Sequence, residues 1–254
     1  MRVKRVLISQ PAPESGKSPY GPLTEKYGVR FDFRPFIKVE HIGAAEFRKQ
    51  HVNLEEVTAV VFSSKGGADH FFKLCEELRF KVSDQMKYVC KSEAIGNYLQ
   101  NYIQLRKRKV FCGNGTTKDM LAVMEKHSTE KFLFALPDGN NEELINMLQT
   151  TKLKYQIGLM YRTVSNDFGP DESIANYDML VFYSPEGINA LKKNFPDFEQ
   201  GETYISCLGE GTATAIDNAN LRLDIPVNCR GSKYHSLLEA LTDFLKENYK
   251  GSHR

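Results

Sequence analysis

The chain has 254 residues, 41% of them apolar and 26% charged, with a formal net charge of +2. That is an ordinary globular composition, with length for two lobes of ~100–150 residues each. Acids and bases are interspersed, so nothing calls for a nucleic-acid partner, and no apolar run approaches the ~20 residues of a membrane span.

The N-terminal segment MRVKRVLISQ is too short in apolar length for a signal peptide and reads instead as a first strand, Val3 to Ser9. A cytoplasmic protein without a membrane anchor is expected. Ser18-Pro19 then open a helix that runs to Tyr27 and ends at Gly28. Arg30 to Phe33 is a short strand that runs into an extended, Pro-interrupted segment, Phe33 to Ile42. Val57 to Ser63 is a continuous apolar run, and Gly67 to Phe80 has helical spacing at Ala68, Phe71, Phe72, Cys75 and Leu78.

Strand and helix alternate from there. Strands are predicted at Met86–Cys90, Arg108–Cys112 and Lys131–Leu136, and helices at Ser92–Leu105, Thr117–His127 and Asn141–Thr150. Tyr155 to Asn166 is a strand, with Tyr155, Ile157, Leu159, Tyr161 and Thr163 at alternate positions and the turn residues Asp167 to Pro170 beyond it. Further strands follow at Met179–Tyr183, Tyr204–Leu208 and Asp224–Cys229, with helices at Gly187–Asn194, Gly211–Ala219 and Ser232–Tyr249.

Such alternation means α/β architecture, parallel sheets with helices on both faces. We read two doubly wound lobes. Segments 1–36 and 166–254 form a discontinuous first lobe, 41–156 the second, and 37–40 and 157–165 are the linker strands between them. Tyr161 then stands at the return crossing with both lobes in reach. An internal echo supports related lobes: VVFSSKGG (Val60 to Gly67) and LVFYSPEG (Leu180 to Gly187) share Val-Phe-x-Ser-x-x-Gly at a strand-to-helix junction.

In open parallel sheets, ligands bind beyond the carboxyl ends of the strands. That rule selects Ser63, Ser64 and Gly66 in one lobe and Ser184, Gly209 and Thr212 in the other. Hydroxyls beside the free N–H groups of a helix start favour an anion, although plain helix capping accounts for any one of them as well. The Gly-rich stretch GEGTATA lacks the lysine of a P-loop and the spacing of a dinucleotide loop. Gly113 to Thr117 is a turn and cap with room for an anion, and Arg106 to Lys109 reads as a solvated turn. The five cysteines and six histidines are dispersed, without the spacing of a metal or redox motif. No metal or cofactor is expected.

VVFSSKGGADHFF, the return strand with LMYRTV, LVFYSPEGINAL and CLGEGTATAI occur in that order. Together they resemble the uroporphyrinogen-III synthase family, over nearly the whole chain from Val3. The resemblance implies two flavodoxin-like lobes on a two-stranded linker and no cofactor, and a monomer is expected. It implies a small-molecule substrate, the linear tetrapyrrole hydroxymethylbilane with its carboxylate arms, closed to uroporphyrinogen III through an azafulvene and a spiro intermediate that reverses ring D. Tyr161 matches the tyrosine proposed in that family as the acid for the departing hydroxyl, and Ser64, Ser184 and Thr212 match its cleft hydroxyls, with Ser63 beside them.

The chain departs from the family pattern at Ser64-Lys65, where Ser-Pro is common, and at Lys91 to Ala94, where Gly-x-x-Thr is common. Ser9-Gln10-Pro11 replaces an arginine often found after the first strand. Two alternatives stand beside the enzyme: a non-catalytic two-lobe binding or regulatory protein of the same fold, and a nucleic-acid binder working through Arg106 to Lys109. The second lacks a broad basic face.

Overall fold

The computed structural model describes residues 2–14, 16–139 and 141–250. The chain divides into unit 1, Met1–Lys38 with Val164–Arg254, and unit 2, Val39–Thr163. Both passages between units fall inside segments 37–40 and 157–165.

Unit 1 is built on strands β1 (Arg5–Ile8), β2 (Arg30–Phe33), β9 (Met179–Phe182), β10 (Tyr204–Leu208) and β11 (Ile225–Val227), in the spatial order β11-β10-β9-β1-β2. All its pairings are parallel. Unit 2 holds β3 (Ile37–His41), β4 (Ala59–Phe62), β5 (Lys87–Cys90), β6 (Val110–Cys112), β7 (Lys131–Asp138) and β8 (Lys154–Ser165), in the order β3-β8-β7-β4-β5-β6. From β8 to β6 that sheet is also parallel.

Strands covered on both faces are apolar at every position, and β4 and β9 are buried throughout. Along β4, Val60 and Phe62 face one core with Phe71 and Leu74 of α3 (Lys65–Leu78), while Ala59 and Val61 face a second. That second core holds Met120 and Met124 of α5 (Thr117–Glu125) and Leu148 of α6 (Glu142–Gln149). In unit 1, Leu23 of α1 (Gly21–Tyr27) and Leu241 of α9 (Leu237–Lys250) cover one face. Ile188 of α7 (Pro185–Asn194) and Ala213 of α8 (Glu210–Asn218) cover the other. Both units are therefore doubly wound, with chain reversals at the β1/β9 and β4/β7 neighbours.

Several expected boundaries move for local reasons. The extended segment Phe33 to Ile42 is two strands, because Arg34-Pro35-Phe36 interrupts β2 and β3. A short helix α2 (Ala44–Phe47), not expected from the sequence, follows β3. The predicted helix Ser92–Leu105 ends early: α4 (Glu93–Tyr98) tightens into a 3₁₀ turn at Leu99–Asn101. Tyr98 and Tyr102 both donate to Asp69 Oδ1, at 2.8 and 2.5 Å, which turns this segment back onto α3.

The dispersed cysteines also gain neighbours. Cys90 stands opposite Cys112 across β5 and β6, and Cys229 lies against Cys207. All five thiols are free, and Cys112 and Cys229 are half-buried while the other three are buried.

Candidate active site

The expected pattern on the return strand holds only as far as Leu159. Tyr155 and Ile157 pack into the core with Phe132 and Phe134, and the strict alternation read from the sequence would send Tyr161 the same way. The register slips instead. Leu136 of β7 pairs with Leu159, but its neighbour Pro137 pairs with Tyr161, so Met160 is an extra residue. Because strand side chains alternate with period 2, a one-residue slip turns everything beyond it to the opposite face. Tyr161 accordingly packs with Phe62 and Met160 on the α3 side. Gln50 holds the slip on the open flank, its Nε2 donating to Leu159 O at 2.9 Å and its Oε1 accepting from Leu159 N at 2.8 Å.

On that face Tyr161 meets the start of α3. Ser64 has extended backbone (φ −149°, ψ 161°), and its Oγ accepts from Gly67 N at 3.0 Å. The same Oγ lies 3.0 Å from Tyr161 Oη. A serine hydroxyl has one hydrogen and two lone pairs, so it can hold the cap and the phenol together. Gly67 has no room for a side chain, since a Cβ there would lie 2.7 Å from the Ala135 carbonyl oxygen. Gly66 lies under the tyrosine, where a Cβ would meet the Tyr161 ring at 3.5 Å. Ser63 is half-buried beside Ser64.

Beneath the phenol lies a histidine pair not anticipated from the sequence. The His70 imidazole stacks on the Tyr161 ring, centroids 4.8 Å apart and planes at 22°. His70 Nδ1 is 3.0 Å from His41 Nδ1, and His41 Nε2 is 3.2 Å from Glu77 Oε1. Burial, with the His41 charge second, pushes the His70 imidazolium below its ordinary range. The Ala44 backbone N–H, donating at 3.0 Å, holds the Glu77 carboxyl below its own. The one sequence signal is the polar stripe Gly66, His70, Lys73 and Glu77 at helical spacing. Most such stripes simply face water. Next along β8, Arg162 pairs with Glu46, with Glu40 at 3.3 Å and with Asp138 at 4.0 Å.

Unit 1 repeats the helix start. Ser184 has φ −153° and ψ 156°, and its Oγ accepts from Gly187 N at 3.3 Å. Where unit 2 has Ser63, unit 1 has Tyr183, whose Oη is 3.0 Å from Tyr20 Oη and is held protonated by burial. Gly209 precedes α8 with φ +90°, a conformation that disfavours any side chain. Thr212 is 2% exposed, and its hydroxyl donates to Leu208 O at 3.0 Å, so its hydrogen is spent on the backbone.

Two other stretches are settled locally. Asp119 Oδ2 accepts from Asn114 N at 2.8 Å, and Thr116 Oγ1 accepts from Asp119 N at 3.2 Å. The Gly113–Thr117 turn thus supplies its own anion. Ser92 has cap geometry, φ −146° and ψ 161°, without a side-chain cap bond. Among the described residues no group of three or more His, Cys, Asp or Glu is placed to hold a metal, and no helix is long and apolar enough to cross a membrane.

A family model described as uroporphyrinogen-III synthase HemD matches residues 18–226. Among solved structures, uroporphyrinogen-III synthetase from Helicobacter pylori is similar at a TM-score of 0.60 and 14% identity, covering 96% of this chain and 99% of that one. A mutant uroporphyrinogen III synthase from the extremely thermophilic bacterium Thermus thermophilus gives a TM-score of 0.52 at 16% identity, covering 98% of this chain and 99% of that one. At these identities the structural likeness speaks for the fold alone. No curated protein sequence matches the chain.

Proposed function

Because the chain belongs to the uroporphyrinogen-III synthase family and closes hydroxymethylbilane to uroporphyrinogen III with inversion of ring D, we propose that Tyr161 is the acid of that closure. We propose further that Ser63, Ser64, Gly66, Ser184 and Gly209 receive the substrate's carboxylates. The observation that carries the reading is the 3.0 Å contact between Tyr161 Oη and Ser64 Oγ, at a strand end next to a chain reversal.

The bilane closes on its own to the unturned isomer, so the enzyme's task is to hold one fold of the chain while a proton is delivered. The phenol gives its hydrogen to the departing hydroxyl, which leaves as water, and the azafulvene remains. The substituted carbon of ring D attacks to form the spiro intermediate, whose reopening and reclosure leave ring D reversed. The ring proton expelled on rearomatisation returns to the phenolate, and one water is lost overall. Each pyrrole carries carboxylate arms, and each unit offers a helix start with free N–H groups and a hydroxyl suited to them. Thr212 takes part by fixing the first turn of α8 behind Gly209.

The reading of a non-catalytic two-lobe binding protein is not favoured. We also propose a monomer working in the cytoplasm without a nucleic-acid partner, in keeping with the interspersed charge and the net +2. Segments 37–40 and 157–165 would serve as linker strands. Feeding freshly made hydroxymethylbilane and separating isomers I and III tests the whole. Isomer III in excess over the spontaneous product is expected, and isomer I alone would refute it.

A further inference from the structure

We infer that His70 is a positioning residue for Tyr161: an imidazole platform, oriented by His41 and Glu77, that holds the phenol where its hydroxyl meets Ser64. The inference rests on Tyr161 being the acid.

A stacked imidazole meets the phenol through its face, 4.8 Å between centroids. Its nitrogens lie in its own plane, so it acts on Tyr161 by ring contact and not by proton transfer. Such a platform needs a fixed orientation, and the histidine pair supplies one. The two Nδ1 atoms are 3.0 Å apart, a distance that allows a hydrogen on only one of them. Glu77 Oε1 stands 3.2 Å from the far nitrogen of His41, and burial disfavours a charge on His70. His70 stays the neutral partner. The two imidazoles are 5.1 Å apart between centroids with planes at 14°, as an edge-on Nδ1 contact requires, so His41 steadies His70 from the side while the face of His70 meets Tyr161.

The titratable groups around His70 are His41 from β3, Tyr161 from β8, and Asp69 and Lys73 on α3 itself. Glu77 stands behind His41, and on α2 Glu46 is engaged with Arg162. A second proton, entering His70, sets two N–H groups against each other and opens the pair. Burial lowers the pKa of His70. Between that lowered value and the ordinary ~6.5, the unfolded chain binds more protons than the folded one. The stability tied to a neutral His70 therefore declines as pH falls below that ordinary value, and within the folded protein the pair stays intact until pH falls through the lowered one.

The test compares wild type, His70→Ala, His70→Phe and Tyr161→Phe on freshly made hydroxymethylbilane, with kcat and KM followed from acid to neutral pH. Tyrosine ring resonances are read by NMR in parallel. His70→Ala removes the platform. It should lower kcat ~2- to ~10-fold, the worth of one aromatic pair, leave KM unchanged and move the Tyr161 resonances. His70→Phe keeps a flat ring that cannot be protonated. It should restore kcat to within ~2-fold of wild type and lose the acidic fall that wild type shows.

Wild-type kcat and unmoved Tyr161 resonances in His70→Ala, with Tyr161→Phe slow, overturn the positioning role. An unchanged acidic fall in His70→Phe does so too. Wild-type kcat in Tyr161→Phe overturns the acid reading instead. In that case the Tyr161 resonances of His70→Ala still decide whether the stack orients the ring.

Discussion

Replacing Tyr161 by Phe removes one oxygen from a ring whose other contacts remain. The stack on His70 survives, since it uses the ring face, and the ring carbon next to Gly66 stays in place although the oxygen beside it is lost. Ser64 loses its partner at 3.0 Å but keeps the cap to Gly67 N, so its hydroxyl is not stranded. The pair is half-buried and open to replacement by water, which places the stability cost at or below the ~1 kcal/mol of a typical hydrogen bond. For a domain near this size that is a fall of a few degrees in Tm at most, ~2–4 °C per kcal/mol. The effect on rate should be much larger. General acids contribute ~10²–10⁴-fold, and because the hydroxyl leaves readily from this substrate, kcat should fall toward the lower end, ~10²-fold. The carboxylate contacts are untouched, so KM should hold and isomer III should remain the main enzymatic product. Single-turnover consumption of fresh hydroxymethylbilane, with isomers separated and Tm recorded on the same preparations, reads all three. Wild-type kcat would refute Tyr161 as the acid. A loss of isomer selectivity at unchanged consumption would show that the phenol places ring D and does not protonate.

The adjacent glycines of α3 should respond oppositely to alanine. Gly66→Ala makes only ordinary contact at 3.5 Å and should raise stability by up to ~1 kcal/mol through helix propensity. Gly67→Ala puts a Cβ 2.7 Å from a backbone carbonyl and should cost ~1–3 kcal/mol by overpacking. Equal melting temperatures for the two variants would contradict this. Ser184→Ala removes the α7 cap at 3.3 Å and should cost ~1 kcal/mol, with a rise in KM if the hydroxyl also binds a carboxylate. A changed Tm with unmoved KM leaves Ser184 a cap only. Arg34 grips Glu172 through both carboxylate oxygens, at 2.5 and 2.8 Å, and holds that carboxyl below its ordinary range. The stabilisation is present above the ordinary carboxylate pKa of ~4.3 and is lost as pH falls through the lowered value. Glu172→Gln should therefore flatten the acid limb of the stability curve, and an unaltered limb would show that the exposed pair contributes nothing.

Local pattern carried most of the fold. Short continuous apolar runs such as Val57 to Ser63 suit strands covered on both sides, and Ser-x-x-Gly after such a run marks a helix start by its own capping chemistry. Hence Ser64 and Ser184 were legible as paired helix starts, and the repeated Val-Phe-x-Ser-x-x-Gly pointed to two related units from the residues alone. The helix that stops at Tyr98 was not legible, because the residue that draws Tyr98 and Tyr102 aside is Asp69, on another helix. Nor was the Cys90–Cys112 neighbourhood, which exists only once β5 and β6 pair. The tyrosine itself stood out in the sequence, but its direction did not. Alternation over Tyr155, Ile157 and Leu159 is a property of one strand, whereas register belongs to a pair of strands. Only the slip opposite Leu136 and Pro137 turns Tyr161 away from Phe134 and onto Ser64 and His70.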